Sequence, residues 1–100
     1  MKVIYHPEAS DELNESVKFY QNRRAGLGER FLGNVINTLE HIKSFPKIGR
    51  LDQAGYRVFH VKSFPFNILY KPYPDYIFII AIAHQRRRHR YWLERMAGKE

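Results

Sequence analysis

Tyr76-Ile77-Phe78-Ile79-Ile80-Ala81-Ile82-Ala83-His84 is apolar at odd and even positions alike. A strand with one wet face would alternate, so this run predicts a strand in the middle of a sheet, buried on both sides. Upstream, Phe66 to Lys71 is a second strand, set off by Pro72 and Pro74 on one side and by Ser63-Phe64-Pro65 on the other, because proline cannot donate to a ladder. Tyr56 to Lys62 alternates, with Phe59 and Val61 facing one way and Val58, His60 and Lys62 the other. Pro46 to Gly55 reads as a loop with Gly49 and Gly55 as turn points.

Further upstream the period changes from two to between three and four. Leu27, Phe31, Val35, Leu39 and Ile42 make the inner face of a helix, widened by Leu32 and Ile36, and Pro46 stops it. Ala25-Gly26-Leu27-Gly28 breaks it from an earlier helix that carries Ala9, Leu13, Val17 and Tyr20 and runs to about Arg23. Pro7 suits the start of that helix, since a first-turn residue needs no N–H partner, and Glu8, Asp11 and Glu12 suit its dipole. The acidic group Glu8, Asp11, Glu12 and Glu15 is read as its wet side. Lys2 to Tyr5 is a first strand, and Arg88 to Ala97 a short last helix. The order is β-α-α-β-β-β-α, an α+β fold with a helix hairpin on one face of a small, mainly antiparallel sheet. The apolar second face then needs the last helix or another chain to cover it.

One hundred residues, 44% of them hydrophobic, are enough for a single domain over 1–100 and too few for two cores. There is no cysteine, so disulfides and thiolate metal sites are ruled out, and a reducing cytoplasmic setting is expected. The early acidic residues fit no secretory signal, and the longest apolar run falls far below the roughly 20 residues a membrane helix needs. The histidines show no metal-ligand spacing, and no glycine loop cradles a phosphate, so no cofactor is expected.

The charge is lopsided. Residues 1–50 hold 8 Lys/Arg and 6 Asp/Glu, and residues 51–100 hold 9 and 4, so +5 of the net +7 lies in the second half. Most of it follows the central strand, in His84-Gln85-Arg86-Arg87-Arg88-His89-Arg90-Tyr91-Trp92. Guanidinium groups suit phosphate and carboxylate partners, and aromatic rings can stack on bases. Arg86, Arg87, Arg88, Arg90, Tyr91 and Trp92 are therefore the candidate contacts to a macromolecular target. The plain alternative is a solvated strand end with Trp92 plugging the core. A chemical alternative also stands: His60, Lys62, His84, Arg86 and Tyr91 as a ribonuclease site, with histidine taking the 2′-hydroxyl proton and a cation steadying the phosphate.

Taken in order, Tyr5-His6-Pro7-Glu8-Ala9, Asp11-Glu12-Leu13, Gly26-Leu27-Gly28-Glu29-Arg30-Phe31-Leu32, Phe45-Pro46, Gly49-Arg50, Phe64-Pro65-Phe66 with Ile68 and Tyr70, Ala83-His84 with Arg86-Arg87, and Tyr91-Trp92 resemble the RelE/ParE superfamily of type II toxins, also called plasmid-stabilisation proteins. The resemblance covers nearly the whole chain. It implies a toxin held silent by a co-expressed small antitoxin, ParD-like or similar. RelE-like members cut messenger RNA, usually at the ribosome; ParE-like members are no nucleases and poison DNA gyrase. Nucleases of the first branch carry an arginine just before an aliphatic pair and tyrosine. Here Asn67 precedes Ile68-Leu69-Tyr70, and its neutral side chain cannot steady a phosphate. Arg86 matches a second basic position of the nucleases. The resemblance thus favours the ParE-like branch, with a RelE-like mRNA interferase as the alternative and an inactive member, kept for autoregulation with its antitoxin, as the third reading.

Overall fold

The structure, a computed structural model, describes residues 1–88 and 90–97. Along the chain run β1 (Lys2–Tyr5), α1 (Pro7–Arg23), α2 (Leu27–Ser44), β2 (Arg50–Leu51), β3 (Arg57–His60), β4 (Phe66–Pro72), β5 (Tyr76–His84) and α3 (Leu93–Ala97). The strands form one sheet in the order β1-β5-β4-β3-β2. β1 pairs parallel with β5, and the other neighbours are antiparallel. The two-sided apolar run thus lies inside the sheet, flanked by β1 and β4, as its composition requires.

α1 starts where Pro7 takes the first helical position and the His6 ring accepts the Glu8 N–H at 3.1 Å. α2 is preceded by Gly26 at its N-cap, which has a φ of 87°, a left-handed conformation that costs glycine little. Gly28, expected to weaken the helix, lies within its first turn instead. A side chain there would meet the Val17 carbonyl oxygen at 2.5 Å, so glycine is what lets α1 and α2 approach closely. The Gln21 side chain caps the same spot, accepting the Gly28 N–H at 3.0 Å.

The hairpin lies on one face of the sheet. Ala9, Phe31, Val35 and Ile42 are fully buried there against Ile68, Tyr70, Ile77 and Ile79. The Tyr70 hydroxyl crosses to the loop after α2, donating to the Pro46 carbonyl at 2.8 Å and accepting the Gly49 N–H at 2.9 Å. This tether holds the supposed loop against the sheet, and within it Arg50 and Leu51 pair with Val58 and Arg57 as β2. Two residues are too short to leave a strand pattern, which is why the sequence reading has a loop there.

The second face carries Leu69, Phe78, Ile80, Ala81 and Ala83, with Tyr56 and Trp92 packed on them. The chain after β5 is therefore its own cover. Among the described residues of the expected 88–97 helix, Leu93–Ala97 are helical and Arg88 and 90–92 are not. Arg90 has a φ of 61°, a left-handed value that no α-helix contains, so the segment before Leu93 turns instead.

Candidate functional site

β5 ends at His84, and the chain leaves it in a tight, hydrogen-bonded path. Gln85 N–H donates to the Pro65 carbonyl at 2.9 Å, Arg86 N–H to the His84 ring at 3.0 Å, and Arg87 N–H to the His84 carbonyl at 3.0 Å. Arg86, Arg87 and Arg88 are all exposed on this loop. Among the described residues no carboxylate lies within ion-pair distance of Arg86 or Arg88, and Arg87 comes no nearer than 3.9 Å to Glu12. The Arg87 guanidinium carbon lies over the Tyr91 ring, 3.9 Å from its centre, a cation–π contact that orients the group.

Arg90, Tyr91 and Trp92 play another part. Arg90 is turned inward, 3.6 Å from Asp52, and its Nε is buried with no hydrogen-bond partner among the described residues. Tyr91 is half-buried, and its hydroxyl donates to Glu12 Oε2 at 2.6 Å. Burial first, and the Glu12 hydrogen bond second, push this phenol well above the usual tyrosine range. Trp92 is only 9% exposed and meets Tyr56 edge-on at 5.9 Å, which is the core-plugging role. Three of the six expected contacts are thus presented outward, and three hold the loop from behind. His89 lies outside the described residues.

Hollows flank the loop. One of about 630 Å³ opens between the start of α1, the edge of β1 and the tail, with Arg87 and Arg88 on its rim. Another, about 290 Å³, lies over the second face between Arg50, Arg87, Arg90 and Asp52, and a third, about 280 Å³, is lined by Glu12, Phe19, His84 and Arg87.

The five residues of the nuclease alternative are not gathered. His60 pairs across the sheet with Asn67, which pairs with Ala83, so all three share the second face. His84 pairs with Phe66, on the helix side, and its ring meets Phe66 edge-on at 5.0 Å. His60 instead contacts Gln85 at 3.1 Å. Lys62 follows β3 beside α2, where its carbonyl accepts from Asn34 at 2.9 Å. Tyr91 is occupied by Glu12.

Glu12, Arg95 and Asp52 were missed by the sequence reading. Glu12 is no wet-side residue: its carboxylate is 13% exposed and takes Arg95 in a two-pronged pair, at 2.7 and 3.1 Å. The signal for it was position, three residues after the buried Ala9 and next to Leu13, on the border of the apolar stripe. Asp52 carried none, since its partners come from a turn and a left-handed residue.

The family model described as the ParE toxin of type II toxin–antitoxin systems, parDE, matches residues 3–89. No curated protein matches significantly. Among solved structures, the chromosomal ParDE system from P. aeruginosa is similar at a TM-score of 0.62 and 20% identity, covering 84% of this chain and 95% of that one. A YoeB/ParE toxin from Agrobacterium tumefaciens is similar at a TM-score of 0.57 and 17% identity, covering 84% of this chain and 98% of that one. Those likenesses show a shared fold, and the family match goes further: the chain belongs to the ParE toxins of type II toxin–antitoxin systems.

Proposed function

We propose that this toxin acts by binding and poisoning DNA gyrase, through Arg86, Arg87 and Arg88, and that a co-expressed antitoxin keeps it silent. The observation that carries the reading is the row of three adjacent, exposed arginines, two of them without a carboxylate partner among the described residues. Like charges held side by side repel each other, and an anionic surface on the target relieves that repulsion while it steers encounter. Guanidinium forks give such a surface orientation as well as charge. No acid or base is needed for this. The division of His60 and His84 between opposite faces of the sheet also weighs against the ribonuclease reading. Tyr91, Arg90 and Trp92 act in this scheme as the support that holds the arginines out.

The antitoxin is proposed to lay an amphipathic segment along the helix hairpin, where Phe19, Ile36 and Phe45 are exposed. Acidic side chains on it would meet the basic loop. A single domain over 1–100 acting in the cytoplasm fits a gyrase target, and no helix of the described residues is long and apolar enough to cross a membrane.

The test is the purified toxin in a gyrase supercoiling assay, beside a variant with Arg86, Arg87 and Arg88 all changed to Gln. Inhibition by the wild type, weakened in the variant by about tenfold or more for each charged contact that is lost, is expected, since such a contact is worth about 1.5 to 3 kcal/mol. Untouched gyrase together with site-specific cuts in ribosome-bound messenger RNA would transfer the chain to the RelE-like reading. Failure to arrest growth when expressed alone would point to an autoregulatory member.

A further inference from the structure

β1 stops at Tyr5 because the chain turns at Pro7 into α1, so strand pairing along the outer side of β5 covers only Tyr76 to Ile79. His6 N–H takes the Ile79 carbonyl at 2.9 Å, and there the ladder ends. On the β4 side the register slips: Leu69 pairs with Ala81 and Tyr70 with Ile79, so Ile80 is skipped. Beyond β1, two backbone groups of this edge are met by side chains. The Ile80 carbonyl accepts from Arg95 Nη1 at 2.9 Å, and the Ile82 N–H donates to Glu12 Oε1 at 3.0 Å. Arg95 and Glu12, ion-paired to each other at 2.7 Å, stand where a longer first strand would have stood.

The same carboxylate reaches past the loop. Its second oxygen takes the Tyr91 hydroxyl at 2.6 Å, and the Tyr91 ring supports the Arg87 guanidinium at 3.9 Å. One side chain on α1 thus ties down the strand just before the arginine loop and the residue just after it.

We propose that Glu12 is the positioning residue of the arginine loop: it does not touch the target, but by clamping Ile82, Tyr91 and Arg95 it fixes where Arg86, Arg87 and Arg88 point. The proposal rests on the reading that these arginines contact the target, and its test separates the two. Acceptors at fixed points matter because each loop residue left free to reorient would have to be ordered again on binding.

The experiment compares wild type, Glu12→Gln, Tyr91→Phe and Asp11→Asn. Asp11 is an exposed acid on the same helix, so its loss raises the net charge equally without touching the clamp. Two quantities are read on each: the gyrase-inhibiting concentration, and the titration of Tyr91 followed by NMR of its ring carbon, with Tyr91→Phe providing the assignment. Circular dichroism confirms the fold. The groups facing the Tyr91 hydroxyl are Glu12, Arg87 and Arg95, with Glu8 3.6 Å from Arg95. Removing the Glu12 charge should therefore lower the pH at which Tyr91 ionises. Glu12→Gln is expected to lower it and to weaken inhibition roughly tenfold, the worth of one charged hydrogen bond. Tyr91→Phe should lose potency in the same direction, and Asp11→Asn should match wild type in both readings.

An unchanged Tyr91 titration in Glu12→Gln overturns the clamp. A shifted titration with full potency overturns its positioning role. If Glu12→Gln does not fold, Tyr91→Phe, which loses a single hydroxyl, decides by its potency. If the wild type leaves gyrase untouched, the gyrase reading alone falls, and the Tyr91 titration in Glu12→Gln still decides whether the clamp exists.

Discussion

The two faces of the sheet are closed by different means. On the helix side, Tyr20, Phe31, Phe64 and Phe66 form a tight aromatic group with ring centres 4.8 to 6.2 Å apart, fed by two long helices with regular apolar stripes. On the other side the cover is a short, irregular tail: Trp92 on Tyr56, with Arg90 pinned to Asp52 and Arg95 to Glu12. The first face is held by many non-directional contacts, which no single group controls. The second depends on a few directional polar pins, centred on the Glu12 and Asp52 carboxylates. Stability is thus concentrated on the helix side, and the shape of the exposed arginine loop is set on the tail side.

The largest effect that tests this division is on stability. Phe31→Ala empties a fully buried site under both helices and should cost about 3 to 5 kcal/mol, measured by urea unfolding. Trp92→Ala removes a larger side chain, yet from the 9%-exposed margin of the smaller cluster, where the tail can relax; about 2 kcal/mol is expected. If Trp92→Ala destabilises as much as Phe31→Ala, the two faces share the stability evenly and the comparison breaks.

A smaller effect sharpens it. Gly28→Ala puts a methyl group 2.5 Å from the Val17 carbonyl oxygen and 2.9 Å from the Gln21 Cβ, so α1 and α2 must part. Overpacking of this kind costs about 1 to 3 kcal/mol, offset by up to about 1 kcal/mol of better helix propensity. Thermal unfolding should therefore show a net loss of about 1 kcal/mol. Since the strained atoms belong to Val17 and Gln21 and none of them touches Glu12, gyrase inhibition should remain near wild type. A large loss of inhibition in a folded Gly28→Ala protein would mean that the faces are coupled more widely than the clamp accounts for.

The same contrast explains what could be read from the sequence. Helix boundaries at Arg23, at Leu27 and before Pro46, and the central place of Tyr76 to His84, follow from apolar period and proline, because the contacts behind them repeat along the chain. β2 was hidden because two residues carry no period and the strand exists through a tether from Tyr70. The helix expected from Arg88 starts only at Leu93, since Arg90 is drawn toward Asp52 in a left-handed turn. The arginine cluster was legible as charge. That it divides into outward Arg86 to Arg88 and inward Arg90 was not, because Asp52, which draws Arg90 in, lies on a distant loop and meets it only in three dimensions.

The smallest predicted effect concerns the other pin. Asp52 shapes its own turn, its carboxylate accepting the Gln53 N–H at 2.6 Å. The neighbouring Tyr56 hydroxyl, above all, and then the Gln53 N–H and the Arg90 and Arg50 charges hold this carboxyl below its usual range against the opposing effect of burial. The folded state therefore favours the charged form, so the stabilisation is complete above the ordinary aspartate value of about 4 and is lost as pH falls below it. The chain has a single tryptophan, and it packs on Tyr56, so its emission reports this face alone. Below pH 4 the Trp92 emission should shift before the far-ultraviolet dichroism of the helices changes. Asp52→Asn should abolish that early step at a neutral-pH cost of about 1 kcal/mol or less, as for a partly exposed pin. A single acid transition, seen alike by both probes in wild type and in Asp52→Asn, would mean that the tail and the hairpin melt as one body. The polar pins would then shape the loop without giving its face any separate stability.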